Sequence, residues 1–439
     1  MTAQFDPSPF LQRRQKLLTT LGQGVAIIPT APEQVRNRDA HYPYRSDSYF
    51  HYLSGFPEPE AVLVLIAGDQ PRSLLFCREK NEEREIWDGY RYGPAKAAEI
   101  FGFDEAHSIA SLDEKLPELL ANQPELWMAL GFDATWDQRI TTALNTLRSQ
   151  TRAGKRTPET IRNIRAPLDE MRLIKDAVEL DIMAQAARIS AAAHRRAMTF
   201  TRPGCFEYEI EAELLHEFRR RGSPFPAYTS IVAAGAHACV LHYVENNGQV
   251  KDGDLILIDA GCELEGYASD ITRCYPANGR FSGPQRDIYQ LVLNAQAAAE
   301  QATRPGNHFM APHEAAVQVL AQGLVDLELL SGSLDEVLEK ESYKRFYMHR
   351  TSHWLGMDVH DAGEYKDGEQ WKQLQPGMVL TLEPGCYIRP GDDVPEAFWN
   401  IGVRIEDDAV VTDSGCRLLT RDVPVAIDEI EALMRDARP

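Results

Sequence analysis

Two stretches of this chain end in the same way. GDLILIDAGC (Gly253 to Cys262) and GMVLTLEPGC (Gly377 to Cys386) align without a gap, pairing Gly253 with Gly377, Asp259 with Glu383, Gly261 with Gly385 and Cys262 with Cys386. Helical segments precede each in the same order. DIMAQAARISAAAHRRAMTFTRPG (Asp181 to Gly204) and DIYQLVLNAQAAAEQATRPG (Asp287 to Gly306) both close on Arg-Pro-Gly. Each leads into a second amphipathic helix, FEYEIEAELLHEFRRRG (Phe206 to Gly222) or PHEAAVQVLAQGLVDL (Pro312 to Leu327). Solenoid units recur every ~20–50 residues, and this period is far longer. The pattern predicts two similar αβ halves folded against each other, with a pseudo-twofold axis that carries Asp259 and Glu383 to equivalent places on facing strands.

The duplication accounts for little more than half of the chain. At 439 residues the protein exceeds one typical core, so a second domain is expected. Residues 1–173 read as an α/β domain. Strand-like GVAIIPT (Gly24 to Thr30), AVLVLIAG (Ala61 to Gly68) and RSLLFC (Arg72 to Cys77) alternate with helical patterns at Phe10 to Leu21 and Ile140 to Arg152. The polar, proline-containing segment Ala153 to Arg172 reads as a connection. A long helical run from Ile174 to Phe200 opens the second domain, residues 174–439.

Within the duplicated region, acids sit where burial is expected. The apolar run Leu255 to Ile258 leads straight into Asp259, and Asp270 lies where the returning strand of a hairpin would bring it alongside. Burying one carboxylate is costly unless it is paired or ligates a metal, and a second nearby makes ionisation harder still. The second half adds His349, His353 and His360 in MHRTSHWLGMDVHD, Glu383 in LEPG, and Arg404 and Glu406, two apart in the strand-like GVRIEDDAVVT and so on one face. Asp259, Asp270, His353, Glu383 and Glu406 make an oxygen-rich ligand set with one imidazole. Two divalent cations balance four carboxylates, and such a set suits Mn²⁺ or Co²⁺. Two such ions roughly 3.5–4 Å apart can hold a bridging water and lower its pKa from ~15.7 towards 7. Taken singly, each residue also has an ordinary reading, as a turn cap, an edge acid or a core histidine. The weight lies in finding all of them in order, two on duplicated strands.

At these residues the chain resembles the creatinase/prolidase/methionine aminopeptidase superfamily of pita-bread metallohydrolases, over residues 174 to about 428. HWLGMDVHD (His353 to Asp361), TLEPGCYI (Thr381 to Ile388) and GVRIEDD (Gly402 to Asp408) are similar to the aminopeptidase P branch, and Arg36 to Leu63 resembles that branch's N-terminal domain. The resemblance implies a two-domain α/β protein. Its C-terminal domain would have duplicated αβ halves around a curved, mainly antiparallel sheet. It implies a dinuclear-metal hydrolase that releases the first residue of peptides with proline second. The five ligand positions would hold two metals, most often manganese, and a hydroxide bridging them would attack the Xaa-Pro carbonyl. Glu383 would handle the proton, and His242 and His360 would contact the scissile carbonyl or the substrate. His349 would line the proline pocket, Arg404 would stand beside the ligands, and Trp87 would be lent to the site by a neighbouring subunit of a homo-oligomer, a dimer or tetramer. Many relatives carry glycine where this chain has Arg350, at the pocket rim. The rivals are a prolidase restricted to Xaa-Pro dipeptides, a methionine aminopeptidase, whose activity needs no large N-terminal domain, and a metal-free pita-bread module that binds peptides.

Bulk properties bound the partners. A net charge of −20 argues against nucleic acid, which calls for a basic face. No apolar run approaches the ~20 residues that cross a bilayer, and the N-terminal segment has no apolar signal core. The seven cysteines are scattered without a CxxC, which reads as reduced thiols in a cytoplasmic protein.

Overall fold

The computed structural model describes residues 5–437. The chain divides into two compact units, one up to Met171 and one from Arg172 onward. The first is built on a six-stranded sheet in the order Glu105–Ser108, Arg72–Cys77, Val62–Ala67, Gly24–Pro29, Glu125–Met128, Thr160–Asn163. Val62–Ala67 (VLVLIA) is buried at every position, as a central strand covered on both faces requires. The helix expected from Ile140 starts earlier, at Ala134, because the Asp133 carboxylate accepts from the Thr135 and Trp136 amides. Its Ile140, Ala143, Leu144 and Leu147 recur at helical spacing and join the core that includes Val25, Val64 and Leu126. The segment read as a connection is structured instead. It supplies the edge strand Thr160–Asn163 and most of the helix Arg165–Leu173.

The second unit holds the duplication. Helices Ala177–Phe200 and Glu207–Arg220 belong to the first half; Gly283–Ala302 and Ala311–Asp326 belong to the second. The first half forms an antiparallel sheet of Ile231–Ala234, Leu255–Asp259 and Thr272–Pro276. The second forms Val379–Leu382, Asp407–Val411 and Cys416–Leu418, also antiparallel. A further pair joins Gly385–Ile388 to Ile401–Arg404.

The repeated glycines have a common cause in each half. Gly253 and Gly377 both take positive φ, 87° and 89°, at the turn before the strand. Gly261 and Gly385 allow a close approach after it. A Cβ at Gly261 would lie 1.7 Å from the Ser269 carbonyl oxygen, and one at Gly385 2.5 Å from the Tyr387 hydroxyl. The crossing at Gly261 folds the hairpin tightly, so Asp259, register partner of Thr272, stands beside the returning segment that carries Asp270. GVRIEDDAVVT is two strands rather than one. Ile401–Arg404 and Asp407–Val411 belong to different sheets, and the break is held by the Ile405 amide on Pro384 O and the Glu406 amide on Thr272 O. Arg404 and Glu406 therefore do not share the face of a single strand.

Candidate metal centre

A cavity of about 760 Å³ opens in the second unit. Asp259, Asp270, His353, Glu383 and Glu406 all line it, together with His242, His349, Arg350, His360, Tyr365 and Arg404. Ten residues singled out from sequence thus meet in one place. Trp87 is not among the lining residues; it sits on the exposed helix Glu82–Asp88 of the first unit and is itself 83% exposed.

Each ligand candidate is held by a second residue. Arg404, from the end of its strand, donates to Asp259 at 2.6 Å, to the Tyr387 hydroxyl at 3.0 Å and, through Nε, to the Thr272 hydroxyl at 3.1 Å. Thr272 in turn donates to Glu406 at 2.6 Å. The Tyr228 hydroxyl lies 2.6 Å from Asp259 and also meets Asp270, so its single proton is shared between the two. The Asp270 amide points at Asp408, and Thr381 bridges the His353 amide and the Glu383 carboxylate. None of Tyr228, Thr272, Thr381, Tyr387 or Asp408 was found by sequence reasoning. Threonines and tyrosines in strands are too common to signal a partner before the partner's position is known.

The His353 ring is aimed. Its Nδ1 lies 3.0 Å from the Trp354 carbonyl and must carry the proton there, which aims Nε2 at Asp270 (3.5 Å) and Glu383 (3.7 Å). A ring nitrogen aimed at two carboxylates calls for a proton or a metal cation between them. Ligand atoms of Asp270, His353 and Glu406 all lie within 4.8 Å of one another.

Electrostatics makes the same demand. Burial, with help from neighbouring acids, raises the pKa of Asp259, pushes Glu383 up to about 7 and lifts Glu406 well above the carboxylate range. Burial alone would lower His353, yet Asp270 and Glu383 raise it to about 9. The protein alone would hold protons on most of this site; Asp270 differs, because against its burial the hydrogen bond and charge of His353 lower its pKa. Arg404 is a buried cation in the cluster, and its guanidinium is already committed to Asp259, Tyr387 and Thr272. Further positive charge is needed for the acids to ionise, and a set of carboxylate oxygens with one imidazole fits divalent metal.

Burial favours the neutral ring in two of the other histidines, His349 and His360. Burial, then Arg404, lowers His349 to about 3, and it ends a chain in which Arg404 donates to Tyr387, Tyr387 to His349 Nε2 (2.8 Å), and His349 Nδ1 to the Arg350 carbonyl (2.8 Å). His360 is also lowered, by burial and then by His353, whose ring it meets edge-on at 4.3 Å. His242 is exposed at the cavity wall.

Comparison with known proteins agrees with this geometry. Residues 181–413 match the model of metallopeptidase family M24, and residues 10–127 match that of the aminopeptidase P N-terminal domain. The chain is 44% identical to an Xaa-Pro aminopeptidase of Escherichia coli, over 98% of each protein. Among solved structures it is similar to the Pseudomonas aeruginosa aminopeptidase PepP, with 50% identity, a TM-score of 0.97 and 99% of each chain covered. It is also similar to a Zn-substituted E. coli aminopeptidase P in complex with product, at 43% identity and TM-score 0.97 over 100% of both chains.

Proposed function

The chain belongs to metallopeptidase family M24, with a pita-bread domain behind an aminopeptidase P N-terminal domain, and we infer that it is an Xaa-Pro aminopeptidase. It removes the first residue from peptides whose second residue is proline. The observation that carries this reading is the convergence of five ligand candidates and three further histidines on one cavity of peptide-binding size.

Asp259, Asp270, His353, Glu383 and Glu406 would hold two divalent ions, with Mn²⁺ the best match to the donor set. Such ions supply Lewis acidity and make water acidic enough to act as a nucleophile near neutrality. The rest is the work of the chain. The acid-lined end of the cavity suits a free α-amino group, which confines cleavage to the first bond. Glu383, close to both His353 and His349, takes the proton of the attacking water at a carboxylate oxygen and delivers it to the leaving prolyl nitrogen. His360 or His242 donates to the carbonyl oxygen as it gains charge, a contribution of ~3–4 kcal/mol per donor in sites of this type. A bond to proline offers no N–H, and this route requires none. His349, fixed by Tyr387, forms the wall for the proline ring, and Arg404 orients Asp259 and favours its ionised form.

The apolar residues Ile86, Trp87 and Tyr90 stand exposed on and beside one short helix, which supports assembly into a homo-oligomer and a role for Trp87 at a neighbour's site. Among the described residues no helix is long and apolar enough to cross a membrane. The test uses metal-stripped protein with and without Mn²⁺ on an Xaa-Pro dipeptide and an Xaa-Pro-Xaa tripeptide, following the released amino acid. Metal-dependent cleavage of the tripeptide is expected; cleavage of the dipeptide alone would make the protein a prolidase, and cleavage of neither would overturn the reading.

A further inference from the structure

One wall of the cavity carries a charge that the protein does not answer. Arg350 lines it beside His349 and is exposed to solvent. Its guanidinium lies over the Trp371 ring, 5.3 Å from the centroid, and the Lys366 ammonium lies over the same indole at 4.6 Å. Lys366 and Trp371 are register partners in a two-stranded hairpin, so the backbone sets that contact. Among the described residues neither head group makes a hydrogen bond or an ion pair. Their neighbours behave differently: Lys344 pairs with Glu341, Arg345 with Asp393 and Lys372 with Asp367. In a chain of net charge −20, two unpaired cations gathered on one ring are out of keeping with the surface around them. The indole attracts each through its ring quadrupole but neutralises neither.

The cavity is therefore polarised, with carboxylates at one end and the free Arg350 cation at its rim, and Lys366 shares the Trp371 ring with Arg350. His349 Nδ1 is 3.8 Å from Glu383, and Arg350 is the next residue along the chain. Three extended residues span roughly 10 Å. A substrate with its first carbonyl at Glu383 thus brings its third residue within reach of the Arg350 guanidinium, whose planar fork suits a carboxylate.

We propose that Arg350, supported by Lys366, binds a carboxylate on the third residue of the substrate and so determines specificity for it, foremost the free C-terminal carboxylate of a tripeptide. This rests on the Xaa-Pro reading of the same cavity. An acidic side chain at the third position offers the same chemistry, and the experiment separates the two sources.

Metal-replete protein is assayed on Ala-Pro-Ala, Ala-Pro-Ala amide and Ala-Pro-Glu amide. The free acid is expected to exceed its amide by about fivefold in kcat/KM, the scale of one exposed charge-assisted contact, through KM rather than kcat. The ratio should shrink with added salt and approach one in Arg350→Gln, with Lys366→Gln in between. A purely structural Arg350 would change all three substrates together and leave the ratio alone. Preference for the Glu amide over the Ala amide, without an acid-to-amide difference, supports the carboxylate site but assigns it to a side chain. Equal kcat/KM on all three peptides, or a ratio that survives Arg350→Gln, overturns the inference while leaving the aminopeptidase reading intact. Cleavage of none overturns that reading and this one with it.

Discussion

Asp361 is the residue at which stability and site geometry meet most directly. Its side chain is 1% exposed and accepts from Arg172 at 2.6 Å and from Lys175 at 2.9 Å, both also 1% exposed. Asp361→Asn keeps the shape and removes the charge. Arg172 would retain Asp358 at 2.8 Å, a carboxylate 43% exposed, whereas Lys175 has no second carboxylate among the described residues. Breaking a buried pair from one side costs about 3–5 kcal/mol, because an uncompensated charge stays behind. That is a large share of the ~5–15 kcal/mol that stabilises a typical domain. The damage should reach the site as well. The Asp361 amide donates to Trp354 O, the same carbonyl that orients the His353 ring. The assay is urea unfolding followed by hydrogen exchange resolved on residues 172–437, with metal affinity measured in parallel. Asp358→Asn, altering a half-exposed partner, should cost less than about 1 kcal/mol. Lys175→Met added to Asp361→Asn should recover part of the loss, since it removes the stranded charge. An Asp361→Asn protein within about 1 kcal/mol of wild type, or a double variant no better than the single one, would refute the reasoning.

Three further outcomes are expected. Glu406→Ala should abolish metal binding and turnover, yet leave the metal-free protein at least as stable as wild type, because it removes one of several mutually repelling buried acids; thermal melts in chelator check this. Tyr228→Phe should weaken metal binding by about 10–100-fold, since Asp259 and Asp270 both lose the hydroxyl they share, and calorimetric titration with Mn²⁺ reads the change. Buried His194 donates through Nε2 to the Ala260 carbonyl at 2.8 Å, and burial lowers its pKa to about 4. The unfolded chain therefore binds a proton between pH 6.5 and 4 that the folded chain refuses. The stabilisation is fully present above pH 6.5 and is lost as the pH falls towards 4, by up to ~3 kcal/mol. The stability difference between wild type and His194→Gln in metal-free protein should follow that window, and a flat difference would count against it.

The acids of the site were legible because they break a strong local pattern: a carboxylate at the end of a fully apolar strand demands an explanation, and two such strands in register multiply it. The duplicated glycines carried the rest of that signal, since positive φ and close crossings leave few other residues possible. What supports the acids was not legible. Tyr228 and Thr272 earn their place only through partners that are distant in sequence, and nothing in their own neighbourhoods distinguishes them. The same holds for Asp408, whose carboxylate meets the Asp270 amide from the other half of the duplication. Segment boundaries failed where polar residues did structural work. Asp133 capped a helix whose apolar period begins later, and the edge strand Thr160–Asn163 is exposed throughout, so its composition looks like a linker. The break at Ile405 leaves no mark in the sequence, because both flanking strands are buried throughout and the backbone alone switches sheets.

The ligand candidates are divided between the duplicated halves. Asp259 and Asp270 come from the first; His353, Glu383 and Glu406 come from the second. During synthesis the first half emerges with only two of the five ligand candidates, too few donors to hold the ions that make water reactive. Hydrolytic competence therefore arrives only when nearly the whole chain has been made and the halves have closed. A ribosome-bound or truncated copy would be inert towards the peptides around it.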